Sequence, residues 1–160
     1  MLIAVFSDTH LRAGKSLPTF VWQHLTNVNL ILHAGDLTHI GLLEELGCIA
    51  PVRAVRGNCD SWDSSLPERD IFECEEVKIG LIHGDSGNGR STQDRAYNAF
   101  KNSEVELIVF GHSHIPFMEM RNGILMFNPG SPTDKRREPQ YSFGLVSIQQ
   151  GQIKAEHLYF

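Results

Sequence analysis

Seven side chains of metal-binding type occur along the chain, each just after a short apolar run. They comprise two carboxylates, one amide and four imidazoles: Asp8, His10, Asp36, Asn58, His83, His112 and His114. Such oxygen and nitrogen ligands suit divalent ions such as Mn²⁺, Fe²⁺, Zn²⁺ or Ni²⁺. The set is larger than a closed structural zinc site requires, so positions would stay open for water and substrate. The residue types therefore predict a catalytic metal site.

The spacing of these residues favours a shared site. Side chains two positions apart in extended backbone point the same way. Asp8 and His10 can therefore enter one site together, and so can His112 and His114. If one aspartate bridges, the set can hold two ions and still leave positions open.

The charge of such a site indicates its substrate. Two divalent ions outweigh two aspartates, so the site would attract an anion such as phosphate. Paired ions about 3.5–4 Å apart clamp the attacking and leaving oxygens of a phosphoryl displacement, and they lower the pKa of bound water from about 15.7 to about 7. We therefore expect phosphoester hydrolysis by a hydroxide activated at a two-metal site.

Apolar runs and turn signals predict the elements that position these residues. The first third alternates strands with helices beginning near Ser16 and Thr38, which is typical of parallel strands. Ser91 is expected to begin a third helix, Asn122-Gly123 to form a hairpin turn, and residues 61–70 and 131–140 to be loops. Strands are predicted over residues 2–6, 29–33, 52–55, 71–74, 77–82, 107–110, 117–120, 124–127, 141–148 and 152–160. Two packed sheets with helices outside would place the candidate ligands at strand ends, where ligand sites form in α/β sheets.

Composition limits the class of protein. The chain has 160 residues, 41% hydrophobic residues and a net charge of −5, which predicts one domain over residues 1–160. Its acidic balance argues against an extended nucleic-acid-binding surface. Its three cysteines are too few and too far apart for a disulfide framework, and no run is long enough to cross a membrane. We expect a cytoplasmic protein with a small-molecule substrate, and nothing in the sequence indicates a homo-oligomer.

Five motifs occur in an order that resembles the calcineurin-like metallophosphoesterases, and most closely their small, single-domain bacterial and archaeal phosphodiesterases. They are Asp8-x-His10, Gly35-Asp36, Gly57-Asn58-Cys59-Asp60, His83-Gly84-Asp85 and Gly111-His112-Ser113-His114, with Asn128-Pro129-Gly130-Ser131 also fitting the small branch. The resemblance implies a four-layer αββα sandwich of two mixed sheets and a metal-dependent phosphodiesterase. It also implies two divalent ions, for which we expect Mn²⁺, with Fe²⁺, Zn²⁺ or Ni²⁺ as alternatives.

The resemblance also implies a role for each candidate residue. One ion would be held by Asp8, His10, Asp36 and His114. The other would be held by Asp36, Asn58, His83 and His112, so that Asp36 bridges. The candidate catalytic residues are Asp36, Asn58, His112 and Cys59.

Cys59 departs from the wider family. The Asn-His-Asp motif of that family reads Asn58-Cys59-Asp60 here, although members of the small branch also carry a cysteine. The histidine that is absent is the one thought to protonate the leaving group. The substitution therefore bears on the general acid and leaves the metal ligands intact.

A second function is compatible with the same fold. A retromer subunit of similar size resembles this chain and acts as a non-enzymatic scaffold that binds partners through apolar surface patches. His10 argues for an enzyme, because a scaffold of that type lacks the full ligand set. A (β/α)₈ amidohydrolase is excluded because its barrel needs about 250 residues.

The segment Lys135–Arg137 is expected to be a solvated loop, with contact to substrate phosphates as the alternative.

Overall fold

The computed structural model describes residues 1–60 and 65–160, and the elements within them follow the predicted order. The strands are β1 (Leu2–Phe6), β2 (Leu30–His33), β3 (Val52–Ala54), β4 (Arg69–Cys74), β5 (Val77–Ile82), β6 (Leu107–Val109), β7 (Phe117–Arg121), β8 (Ile124–Asn128), β9 (Ser142–Gln149) and β10 (Gln152–Tyr159). The helices are α1 (Thr19–Gln23), α2 (Gly41–Gly47) and α3 (Thr92–Phe100).

The strands form two mixed sheets of five strands each. The order in the first is β10-β9-β1-β2-β3, and in the second β4-β5-β6-β8-β7. Each sheet has three parallel strands. In the first sheet β1, β2 and β3 extend to one edge, with antiparallel β9 and β10 on the other side, and in the second β5, β6 and β8 lie between antiparallel β4 and β7. The predicted pair of mixed sheets is confirmed.

Three apolar layers hold the sheets and helices together. Between the sheets, residues such as Val5, Leu81 and Val109 are fully buried. The outer face of the first sheet packs against α1 and α2, and that of the second against α3, where Phe100 is fully buried. The parallel strands β1, β2, β5, β6 and β8 are covered on both faces, as parallel sheets require, whereas Arg53 on the edge strand β3 is exposed. The molecule is therefore the four-layer αββα sandwich expected from the sequence.

Only one of the three predicted helix starts uses the predicted cap. The Ser91 side chain accepts a hydrogen bond from the backbone N–H of Asp94 and caps α3. Ser16 instead donates to Glu45, and Thr38 donates to the carbonyl oxygen of Leu11. Neither α1 nor α2 has a side-chain cap. Those two predictions were wrong because both hydroxyls bond to other segments of the chain, so the helices begin later.

The predicted turns are found where the described residues allow a comparison. Asn122 and Gly123 have φ angles of 50° and 83°, and they join β7 to β8 in a hairpin. Such angles favour asparagine and glycine. Residues 131–140 form a loop, whereas 61–64 lie outside the described residues, and Arg69 and Asp70 already belong to β4. Within the described residues, no helix has the length and apolar character needed to span a membrane.

Candidate metal centre

The loops that follow the parallel strands meet at one edge of the sandwich. The backbone N–H of Asp8 donates to the carbonyl of Gly35, which links the loops after β1 and β2. The N–H of Gly111 donates to the carbonyl of His83, which links the loops after β5 and β6. The loops that carry the candidate ligands are therefore bonded to one another through the backbone.

Five of the predicted ligands bring side-chain atoms within metal-binding reach. Three groups each place three ligand atoms within 4.8 Å of one another: Asp8 with His10 and His114; Asp8 with Asp36 and His83; and His10 with Asp36 and Cys59. Asp8 and Asp36 each belong to two groups. Carboxylates and imidazoles so arranged could hold a metal ion.

Shorter distances connect these groups into one cluster. The Nε2 atom of His83 lies 3.4 Å from Oδ2 of Asp36, and Nε2 of His114 lies 3.5 Å from Oδ1 of Asp8. The Nε2 atom of His10 lies 3.6 Å from Asp36 and 3.3 Å from Nε2 of His114. Three imidazole nitrogens and two carboxylates therefore face a common space.

Asn58 and His112 lie beside this cluster. The Nδ1 atom of His112 is 3.1 Å from Oδ1 of Asn58, and its ring meets the ring of His83 edge to face, with 5.2 Å between centroids. The backbone N–H of His112 donates to Oδ1 of Asp8 at 3.1 Å. The structure thus brings all seven predicted ligands to one region.

Hydrogen bonds decide which imidazole nitrogens face the cluster. The Nδ1 atom of His83 lies 2.7 Å from the carbonyl oxygen of Ala34, and Nδ1 of His114 lies 2.5 Å from that of Asp134. A carbonyl oxygen only accepts, so each Nδ1 carries a proton, and in the neutral imidazole each Nε2 presents a lone pair. The Nε2 atom of His83 is buried without a hydrogen-bond partner among the described residues. A cation there would occupy this lone pair, so the donor set fits a metal.

The electrostatics of the cluster also favour a cation. Burial raises the pKa of Asp8 to about 7. Burial opposes the charged form of His83 as well, but the nearby carboxylate of Asp36 and the negative charge of Asp8 raise its pKa to about 9. Burial likewise opposes ionisation of Asp36, yet contacts with His83 and Cys59 lower its pKa below the usual range. The positive charge of protonated His83 thus compensates the negative charge of the two buried carboxylates. A divalent ion would supply that positive charge in its place.

The backbone at the candidate ligands is strained. Five of them have positive φ: Asp8 (54°), His10 (46°), Asp36 (57°), His112 (68°) and His114 (59°). This region is uncommon for residues other than glycine and costs roughly 1–3 kcal/mol each when the structure enforces it. Such strain clusters at functional sites, where it positions side chains in advance.

Asp60 holds two of these loops together, a role that the sequence did not reveal. Its fully buried carboxylate accepts backbone N–H bonds from Asp36 (2.7 Å), Thr38 (2.9 Å) and Gly57 (2.9 Å), and a longer one from Leu37. Charge-assisted bonds of this kind are about twice as strong as neutral ones. Asp60 therefore fixes the backbone on both sides of the cluster. Its place in the Asn58-Cys59-Asp60 motif was the signal available in the sequence.

Gly57 allows the loop after β3 to approach Asp36 closely. A Cβ atom added at Gly57 would lie 2.2 Å from Oδ1 of Asp36 and 2.6 Å from its backbone nitrogen. No larger residue fits without moving the carboxylate. The glycine in the Gly57-Asn58 motif thus serves the packing of the cluster.

The segment after β8 supports the cluster from the other side. Asn128 donates to the carbonyl of Gly111, and the Ser131 hydroxyl donates to the carbonyl of Asp8 at 2.8 Å. The carbonyl of Asp134 accepts from His114. The Asn128–Ser131 motif therefore holds the backbone of the ligand loops and places no ligand itself.

Cys59 lies at the exposed rim of the cluster. Its backbone N–H donates to Oδ1 of Asp36 at 2.8 Å, and its Sγ accepts from Asn58 at 3.3 Å. Desolvation, together with the neighbouring carboxylates of Asp36 and Asp60, raises the pKa of its thiol to about 11. At neutral pH the thiol keeps its proton, so its nucleophilic and redox reactivity is low.

The basic loop flanks the same edge. Lys135, Arg136 and Arg137 line a cavity of about 310 Å³ together with Ser113 and Ile115, which flank His114. Arg136 is exposed, and its Nε lies 3.7 Å from a carboxylate oxygen of Asp134. The loop is thus solvated, as expected, but lies close to the cluster.

Comparison with known proteins agrees with this geometry. The family model of the calcineurin-like phosphoesterase superfamily domain matches residues 1–151. A probable metallophosphoesterase of Methanocaldococcus jannaschii is 43% identical over 138 residues, which cover 85% of this chain and 70% of that protein. A protein of the same organism named a phosphodiesterase is 24% identical over 144 residues, 81% of this chain and 83% of the other.

A solved structure confirms the fold. Wild-type Vps29 of Entamoeba histolytica, crystallised with zinc, has a TM-score of 0.80 at 23% identity and covers 99% of each chain. At this identity the likeness concerns the fold alone. From the family match and the archaeal relative, the chain belongs to the calcineurin-like phosphoesterase superfamily.

Proposed function

We propose that the protein is a metal-dependent phosphodiesterase that uses two divalent ions, with Mn²⁺ as the expected metal. The observation that carries the proposal is the convergence of buried carboxylate oxygens and imidazole nitrogens, including the unpartnered Nε2 of His83. The similarity to a relative named a phosphodiesterase supports the reaction class.

The ligand assignment is part of the proposal. One ion is held by Asp8, His10, Asp36 and His114, and the other by Asp36, Asn58, His83 and His112. The short contacts of Asp36 with both His10 and His83 support a bridging role for its carboxylate. When bound, the ions supply a nucleophile at neutral pH and neutralise the charge that develops on the phosphate.

The residues of the chain orient and protect this chemistry. The loops that carry Asp8 and His83 exclude water from the buried side, since both side chains are almost wholly inaccessible. Asn58 and Cys59 are exposed and His112 is half-buried, so substrate approaches from their side. The protonated thiol of Cys59 is a weak hydrogen-bond donor, so we expect a preference for esters with good leaving groups.

A reconstitution experiment tests the proposal. Chelated protein should not hydrolyse bis(p-nitrophenyl) phosphate, and Mn²⁺ should restore hydrolysis. Hydrolysis of an alkyl phosphomonoester should remain much slower. Bound metal should also raise the melting temperature, because an ion held only by the native state stabilises it. Fewer than about one ion per chain at saturating metal would contradict the proposal.

The same experiment separates the enzyme from the alternative, a non-enzymatic scaffold on this fold. The Vps29 structures share the architecture but are distant in sequence. A scaffold would show no metal-dependent hydrolysis of any phosphodiester in a substrate panel. Metal-dependent turnover that is lost in Asp36→Asn would exclude the scaffold as the sole function.

A further inference from the structure

A second polar cavity borders the candidate metal centre and shares no lining residue with the cavity at the basic loop. Its volume is about 440 Å³, which is within the range of small-molecule sites. Gly57 lines it and directly precedes Asn58, and Asp85 lines it two residues after His83. The cavity therefore opens beside two of the proposed ligands.

Three arginines line this cavity, and among the described residues two of them have no acidic partner. Arg56 forms an ion pair with Glu68 at 2.5 Å. Arg69 donates to the carbonyl of Ala99 at 3.2 Å. Within residues 1–60 and 65–160, Arg69 forms no salt bridge, and the same holds for Arg95.

Arg95 is fixed between the cavity and the metal centre. Its Nε donates to the carbonyl of Gly84 at 2.8 Å, and its Nη2 approaches the hydroxyl of Thr92 at 3.1 Å. Gly84 directly follows His83, so the guanidinium is tied to the loop of a proposed ligand.

The charges and donors of the cavity suit an anion. Apart from the Arg56–Glu68 pair, the described lining residues contribute two positively charged guanidiniums and one negatively charged carboxylate, that of Asp85. Each guanidinium has five N–H donors in a fork that matches phosphate oxygens. Among the described residues, neutral partners occupy one or two of those donors. Donors therefore remain for a bound anion.

We infer that this cavity is a subsite for a second phosphate group, so that the preferred substrate is a phosphodiester bearing another phosphate on one of its alcohol parts. The inference rests on the proposed phosphodiesterase function. The scissile diester lies at the metal centre while Arg69 and Arg95 bind the second phosphate. Charge-assisted hydrogen bonds contribute about 1.5–3 kcal/mol, which corresponds to roughly tenfold or more in kcat/KM.

A matched pair of substrates tests the subsite. Thymidine 5′-(p-nitrophenyl phosphate) and its 3′-phosphorylated form release the same nitrophenolate and differ only in the second phosphate. The Mn²⁺-loaded protein should favour the phosphorylated form by about tenfold. In Arg69→Gln the preference should fall at least about threefold. In Lys154→Gln, an equal loss of charge on exposed β10 of the other sheet, it should persist.

The outcomes distinguish this inference from the proposed function. Equal kcat/KM for the two substrates, or an equal loss on both in Arg69→Gln, would overturn the subsite. If neither substrate is hydrolysed, the proposed function fails, and calorimetric titration of the metal-free protein with thymidine 3′,5′-bisphosphate decides the subsite separately. Binding weakened about fivefold by Arg69→Gln but not by Lys154→Gln would support it. Absent binding, or equal affinity in both variants, would reject it.

Discussion

The candidate metal centre has two halves that differ in their exposure to water. The inner half consists of Asp8, His83 and His114, whose residues are 0%, 1% and 2% exposed. The outer half consists of Asn58 and Cys59, which are exposed, and His112, which is half-buried. Asp36 lies between them, because it contacts both His83 and the backbone N–H of Cys59.

This difference in exposure indicates that the two halves have different roles. Side chains of the inner half are each fixed by a hydrogen bond to another loop, such as that between His83 and Ala34. Electrostatic interactions are stronger there because the surroundings are less polarisable than water. The outer half is open to an arriving phosphate. We therefore expect the inner half to stabilise bound metal and the outer half to admit substrate.

Asp36→Asn should have the largest effect, because Asp36 joins the two halves. We expect hydrolysis of bis(p-nitrophenyl) phosphate to fall by more than about 100-fold, since changes to the partners of metal ligands alone cost about 10–100-fold. Elemental analysis should show loss of metal. Asp70→Asn, which removes a half-buried carboxylate that pairs with Arg53 on β4 and lies outside the cluster, is the matched control and should keep metal and activity. Retention of both ions and of near-wild-type activity in Asp36→Asn would disprove the bridging assignment.

Truncating one side chain in each half should show how much each half contributes to the affinity for metal. His114→Ala should weaken the tightest metal binding, measured by competition with a chelating dye, about tenfold more than Asn58→Ala. The reason is that the buried imidazole interacts with the ion in less polarisable surroundings. Asn58→Ala should keep one tightly bound ion and lose the weaker one. Equal losses in the two variants would mean that the halves do not differ in affinity.

The pH dependence of metal binding should reflect the inner half. Binding needs the ionised form of Asp8 and the neutral form of His83, whose pKa values in the metal-free protein are raised to about 7 and about 9. Protons must therefore leave when the ion binds, so affinity rises with pH. We expect a change of about tenfold per pH unit between pH 7 and 9, and a steeper one below pH 7. Calorimetry in buffers of different ionisation enthalpy would measure the released protons, and pH-independent affinity would refute this account.

The smallest effect should come from Cys59 in the outer half. Cys59→Ala should leave metal content unchanged and reduce activity on activated diesters by less than about threefold, because a general acid matters mainly for basic leaving groups. Cys59→His should raise the rate on diesters with alkyl leaving groups. Exposed Cys48 provides the control variant Cys48→Ala. Loss of metal in Cys59→Ala would instead make the sulfur a ligand.

The strands, and the gathering of the candidate ligands at strand ends, could be predicted from the sequence because their signals are local. Alternation of apolar runs located the strands, and Asn122-Gly123 marked a hairpin whose angles only a few residues adopt readily. The supporting contacts could not be predicted in this way. Ser16 and Thr38 have the right type for helix caps but bond elsewhere. Nothing in the sequence around Asp60 indicates that its carboxylate accepts hydrogen bonds from four backbone N–H groups. Likewise, nothing around Arg95 indicates its hydrogen bond to the carbonyl of Gly84.

The sequence by itself determined which residue types stand at the ends of the apolar runs, because strand periodicity and metal-binding chemistry depend on each residue and its near neighbours. Only the tertiary structure decided which atoms meet. His112 donates to Asp8, and His10 faces His114, across 104 positions of the chain. These contacts depend on the order of strands in two sheets and on strained loop backbones held by distant hydrogen bonds. Such long-range pairing is settled by packing of the whole sandwich, which no local pattern encodes.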